Sequence, residues 1–168
     1  MGLDEEILNC INNEKDFEEY LRKEIQEKII DKNKNLYLLK SKGIFDITII
    51  KDNCKVFNLE LKVNVDNRNG YVGLTGKTEK HIQIESLIND IPYFDKYLKW
   101  IVLDKPNNKL ILACNSVVKK FPTKDKETKK YEFRAGKTNN IKGDIFSNQT
   151  DLTINNLIKK LQSWIDDN

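Results

Sequence analysis

The chain has only three cysteines, Cys10, Cys54 and Cys114, and no two of them form a CxxC pair. That spacing excludes a zinc ribbon and a disulfide framework, and it suits a reducing compartment. Histidine is scarcer still. With His81 alone, a His-rich metal centre is excluded, and a His-based catalytic triad would have to use that residue. No apolar run approaches membrane-spanning length, and the acidic start MGLDEEIL lacks the basic and apolar segments of a secretory leader. The expectation is a cytoplasmic protein without a membrane partner. Neither an internal repeat nor a low-complexity segment breaks up the 168 residues, which suit one domain, 1–168, with a single core.

Excess charge is also small. A net +3 does not by itself argue for nucleic acid, but its distribution is uneven. Between Lys119 and Lys142 stand nine basic residues (Lys119, Lys120, Lys124, Lys126, Lys129, Lys130, Arg134, Lys137, Lys142) and three acidic ones (Asp125, Glu127, Glu132), whereas the first thirty residues are net acidic. The basic segment can neutralise phosphates, or it can be a solvated charged loop.

Two short apolar runs organise the rest, Ile44 to Ile50 and Val56 to Val65, joined by Lys51-Asp52-Asn53. Rich in Ile, Val, Phe and Thr around turn-forming Asp-Asn, they predict a β-hairpin. The second run alternates: Phe57, Leu59, Leu61 and Val63 share one face, and Asn58, Glu60, Lys62 and Asn64 share the other. A hairpin centred on Asn53 pairs Ile50 with Val56, Thr48 with Asn58, and Asp46 with Glu60. An even-numbered loop would send the two carboxylates to opposite faces, so an odd loop is required.

Directly opposed side chains have Cβ atoms about 5 Å apart, close enough for Asp46 and Glu60 to share a divalent cation. Unpaired, they would repel across the ladder. Mg²⁺ takes oxygen ligands and keeps several waters, so the two carboxylates and the Leu61 carbonyl would leave positions for water and phosphate. Lys62, two positions along the same face, would hold the attacking water and offset charge on phosphorus. This arrangement suits phosphodiester hydrolysis; a solvated hairpin face with incidental charges is the plainer alternative.

Ile44-Phe45-Asp46 followed by Leu59-Glu60-Leu61-Lys62 resembles the PD-(D/E)xK nuclease superfamily, and the segment running on to about Asn115 is most similar to the small homodimeric type II restriction endonucleases. The pattern departs from the family at Phe45, where proline is frequent, and it has no glycine-flanked acidic motif upstream. The resemblance implies an α/β restriction-endonuclease-like fold with a central mixed β-sheet flanked by helices. It also implies a Mg²⁺-dependent endonuclease, with Mn²⁺ as a substitute, that cuts double-stranded DNA as a homodimer and leaves 5′-phosphate and 3′-hydroxyl ends. It further implies a glutamine near the metal site, here Gln83, a histidine at the DNA, here His81, and an additional acid from an N-terminal helix, Glu14 or Glu24. A Holliday junction resolvase-like repair nuclease has similar acid spacing, and a non-catalytic DNA-binding protein could keep the fold.

In chain order, Leu3 to Ile30 predicts helix interrupted at Asn12-Asn13, with Phe17, Tyr20, Leu21 and Ile25 on one face of its second part. Leu36 to Leu39 is a strand or a buried connection. Asp66 to Lys80 reads as a glycine-rich loop, and its Asn67, Arg68, Asn69, Thr75, Lys77 and Thr78 are of the types that contact bases or phosphates. His81 to Asn89 predicts helix, and Pro92 opens a further turn. Tyr97 to Asp104 and Lys109 to Val117 predict strands buried on both faces around Pro106-Asn107-Asn108. The KKYEFRAG stretch suits an outer strand or a recognition element. Thr153 to Asp166 predicts a helix whose stripe of Ile154, Leu157, Ile158, Leu161, Trp164 and Ile165 closes the core or forms a dimer face.

Overall fold

The computed structural model describes residues 9–41, 43–66, 71–74, 91–118, 131–134, 143–147 and 154–168. Within them the elements run as α1 (Glu14–Lys28), a 3₁₀ turn (Ile30–Lys32), β1 (Leu36–Leu38), β2 (Ile47–Lys51), β3 (Lys55–Asn64) and β4 (Tyr71–Leu74), then α2 (Tyr93–Tyr97), β5 (Leu98–Asp104), β6 (Lys109–Cys114), α3 (Asn115–Val118), β7 (Tyr131–Arg134), β8 (Gly143–Ser147) and α4 (Ile154–Asp166). Six strands form one sheet in the order β1-β2-β3-β5-β6-β8, while β4 and β7 form a separate two-stranded sheet. Only the β3–β5 pairing in the large sheet is parallel, so the molecule is α/β with a central mixed sheet flanked by helices.

The helix break expected at Asn12-Asn13 is a designed start. Asn13 caps α1 by accepting from the Asp16 amide at 2.9 Å, and the Asp16 carboxylate accepts from the Asn12 amide at the same distance. The first bond satisfies an amide that the first helical turn leaves without a partner, and the second ties Asp16 back to the residue before the cap. Phe17, Leu21 and Ile25 then fall on the buried stripe, and Tyr20 packs at its margin. The stripe of α4 is buried throughout and joins the same core against Ile47, Ile49, Phe57, Leu59, Leu61, Ile101, Leu103, Leu110 and Leu112, so this helix closes the core. Phe57 lies at its centre, edge-on to Trp164 (5.0 Å between ring centroids) and Tyr97 (5.4 Å).

The β2–β3 turn has the expected odd length. Lys51 pairs with Lys55 across Asp52-Asn53-Cys54, and Asp52 and Asn53 both adopt left-handed φ, 53° and 57°. Asp and Asn tolerate that region better than other non-glycine residues, which explains why the turn forms here. Ile50 therefore faces Val56 and Thr48 faces Asn58, as the sequence predicts.

Several expectations need correction. Ile44, Phe45 and Asp46 precede β2 rather than belonging to it, and β3 stops at Asn64, short of Val65. Tyr97 ends α2 rather than starting β5, and the chain after Cys114 turns into α3 instead of continuing the strand to Val117. Within the stretch read as a loop, Tyr71–Leu74 is a strand, and its partner is Tyr131–Arg134, the outer strand anticipated in KKYEFRAG. The polar face of β3 is also no solvated hairpin face. Asn58, Glu60, Lys62 and Asn64 are all buried, and β5, parallel along the far side of β3, makes it an interior strand.

Phe57→Ala should cost about 3–5 kcal/mol, the range for emptying a fully buried aromatic site. The check is a urea titration against wild type, and a loss below about 1 kcal/mol would mean the core does not centre on Phe57.

Candidate functional site

The hairpin register, carried one step past Ile47↔Leu59, sets Asp46 opposite Glu60. Both side chains are almost fully buried, at 1% and 2% exposure, and Lys62 on the same face is 7% exposed. Parallel pairing with β5 places Trp100 beside Glu60 and Val102 beside Lys62, so an apolar wall flanks the charged residues.

Asp46 Oδ2 accepts from the Leu61 amide at 2.8 Å. In a strand a residue's N–H and C=O point to the same side, so the Leu61 carbonyl faces the edge where the Asp46 carboxylate sits. Lys62 Nζ donates to Glu60 Oε1 at 3.2 Å and to both Glu14 oxygens at 3.4 Å. Glu14 belongs to the first turn of α1, whose Asn13 cap fixes where that turn begins. Of the two N-terminal glutamates considered, Glu14 is therefore at this cluster, whereas Glu24 pairs with Lys28 on the same helix.

Three carboxylates surround one ammonium. Burial by itself lowers the pKa of the Lys62 ammonium, but the negative charges of Glu60, Glu14 and Asp46, with the hydrogen bond to Glu60, outweigh it and hold the pKa above its ordinary value. Lys62 is accordingly a charged donor at neutral pH, suited to holding a water or an anionic oxygen rather than removing a proton.

The oxygen-rich donors, Asp46, Glu60, the Leu61 carbonyl and Glu14, are of the kind a hard divalent cation takes. Among the described residues no three His, Cys, Asp or Glu side chains are already gathered into a metal-binding group. Lys62 instead occupies the space between Glu60 and Glu14. Mg²⁺ is commonly held by one or two carboxylates and water, so the donor set fits in kind without forming a finished cage.

Other polar pairs continue along this face. Thr48 Oγ1 donates to Asn58 Oδ1 at 3.0 Å, and Asn64 Nδ2 donates to Asp104 Oδ1 at 2.8 Å. The sequence reading missed Arg22, a half-buried α1 residue whose guanidinium is paired with Glu18 and donates to the main-chain carbonyls of Leu39 and Asp46. The Glu18–Arg22 spacing of four on a predicted helix was the available sign, though it says nothing about the carbonyls. The remaining expected site residues, Gln83, His81, Asn67, Arg68, Asn69, Thr75, Lys77 and Thr78, lie outside the described residues.

Comparisons with protein-family models, curated proteins and solved structures find no match to this chain.

Because the Lys62 pKa is raised on folding, the stability due to its charge is fully present below the ordinary lysine value of 10.5 and is lost as pH rises through the higher folded value. The urea-midpoint difference between wild type and Lys62→Met should hold steady up to about pH 10 and shrink above it. A difference that widens on the alkaline side would contradict the cluster.

Proposed function

We propose that this chain is a Mg²⁺-dependent endodeoxyribonuclease of the type II restriction kind, a PD-(D/E)xK nuclease by resemblance, acting on double-stranded DNA as a homodimer. One observation carries the reading: Asp46, Glu60 and Lys62 lie together on one buried face at the end of a hairpin, with Glu14 reaching the same lysine. Replacing such a buried charged group as a whole with apolar residues is often neutral or stabilising, so its presence points to a use other than stability.

In this reading Asp46, Glu60 and the Leu61 carbonyl hold the cation, and Glu14 contributes from the outer side through water. Bound there, Mg²⁺ or Mn²⁺ would supply Lewis-acid polarisation of the phosphate and a template for the attacking water. Lys62 releases Glu60, orients that water in line with the scissile bond, and offsets the charge that builds up on phosphorus. Trp100 and Val102 line the wall beside these groups and keep the local dielectric low, which strengthens each charge contact.

DNA would be engaged by the two segments that β4 and β7 join, the donor-rich 66–80 and the basic 119–142. A palindromic duplex is cut most simply by a twofold-symmetric pair of chains, hence the homodimer. Among the described residues no helix is long and apolar enough to cross a membrane, and the proposed compartment is the cytoplasm.

A second reading has its own support. The Lys62 ammonium already pairs with Glu60 Oε1 and with Glu14 internally, as it would in a non-catalytic DNA-binding protein that keeps the fold.

Plasmid digestion with and without Mg²⁺ separates these. Wild type should cleave only with the metal, and Glu60→Ala and Lys62→Ala should each lose about a hundredfold or more in rate. If all three proteins behave alike, the nuclease reading is wrong. Discrete fragments would indicate sequence-specific cutting and a smear a nonspecific nuclease. Selective resolution of four-way junctions would favour a Holliday junction resolvase-like repair nuclease.

A further inference from the structure

We infer that Arg22 is the positioning residue for the Asp46 carboxylate, and that the Glu18–Arg22 pair on α1 sets the geometry of the proposed metal site from behind. The functional meaning of this inference rests on the nuclease reading; the positioning itself does not.

The need for such a residue arises where β1 and β2 part. The Leu39 amide still donates to the Thr48 carbonyl at 3.0 Å, one step beyond the last β1–β2 pair, Leu38↔Ile49. Past that point β1 has ended at Leu38, and Asp46 lies before the start of β2 at Ile47. The Leu39 carbonyl is turned towards β2, on the side of its amide. The Asp46 carbonyl is turned towards β1, because alternate residues of β2 face opposite edges. Both carbonyls therefore open into the fork between two diverging strands, beyond the reach of the ladder.

Arg22 fills that fork. One guanidinium nitrogen donates to the Leu39 carbonyl at 2.7 Å, a second donates to the Asp46 carbonyl, and Nε is held by Glu18 Oε1 at 2.9 Å. Glu18 is buried, so the pair is a fixed strut of α1. A planar group with donors along two edges is needed to bridge the carbonyls and meet Glu18 together; a lysine ammonium is a point charge on a flexible stem. With its carbonyl pinned on one side, Asp46 sets its carboxylate on the Leu61 amide at 2.8 Å. Arg22 touches none of the reacting groups. It determines where one of them stands, as outer-shell partners of metal ligands generally do.

Amide hydrogen exchange on the full chain without metal tests this directly. In Arg22→Ala the Leu61 amide should exchange about tenfold or more faster relative to the Leu59 amide, which stays paired with Ile47 in the ladder. Arg22→Lys should fall between Arg22→Ala and wild type. Ile25→Val, a conservative change in the buried stripe of the same helix, should leave the Leu61-to-Leu59 ratio unchanged, because general destabilisation speeds both amides. An unchanged ratio in Arg22→Ala overturns the inference.

The same proteins are then titrated with Mn²⁺ and the free ion is followed by electron paramagnetic resonance. Arg22→Ala should bind about 10–100-fold more weakly than wild type. Equal affinity in the two proteins would make Arg22 merely structural and would also overturn the inference. If the exchange ratio rises but wild type takes up no Mn²⁺, the positioning role stands and the metal-dependent reading of the site fails.

Discussion

The register of β2 on β3 is the constraint from which the rest follows. It is imposed by a turn, Asp52-Asn53-Cys54, that places two successive residues in the left-handed region, where Asp and Asn are among the few side chains at ease. Strand side chains alternate with a period of two, so a slip of one residue would turn Phe57, Leu59 and Leu61 out of the core. The same slip would bring Glu60 and Lys62 into it. The hydrophobic face and the charged face therefore specify each other, and the turn and the core agree on one answer.

The charged face is energetically unusual because it is buried. Removing one partner from a buried ion pair typically costs about 3–5 kcal/mol, yet replacing the whole group with apolar residues is often neutral or stabilising. Retention of Glu60 and Lys62 at 2% and 7% exposure, with Asp46 and Glu14 adding further negative charge, is thus not accounted for by stability. Lys62 makes the arrangement tolerable in the folded state by lying between Glu60 and Glu14. In the proposed nuclease, a cation held by Asp46 and Glu60 would balance the negative charge of this group.

Much of this was legible in the sequence, and the failures have identifiable causes. The odd turn, the pairing of Thr48 with Asn58, the central strands β5 and β6, and the buried stripe of α4 all follow from local chemistry and periodicity. The burial of the polar face did not follow, since nothing near β3 announces that a strand some forty residues later will lie parallel to it. Helical periodicity put Glu14 and Glu24 equally near the apolar stripe, and only the placement of α1 against the hairpin chose between them. Tyr71–Leu74 was masked by its flanking glycines, and a four-residue strand needs its distant partner to be recognised. Arg22 could be seen as a helix-surface ion pair but not as a strut, because its acceptors are carbonyls whose availability depends on where β1 and β2 separate.

That separation also explains why the acids gather where they do. β3 pairs with β2 only as far as Leu59 but continues to Asn64, so its edge runs on past the end of its neighbour. Had β2 extended backwards, the Leu61 amide would have met the Phe45 carbonyl. Instead it meets the Asp46 side chain. A backbone donor buried at a strand end has to find an acceptor, and a carboxylate from the departing chain supplies one. Where the partner strand ends, the Asp46 carboxylate stands at the Leu61 amide, and Glu60 and Lys62 lie on the sheet face next to it. On this view the site is a consequence of unequal strand lengths: the hairpin fixes which side chains face one another, and the shortfall of β2 leaves the Leu61 amide to the Asp46 carboxylate.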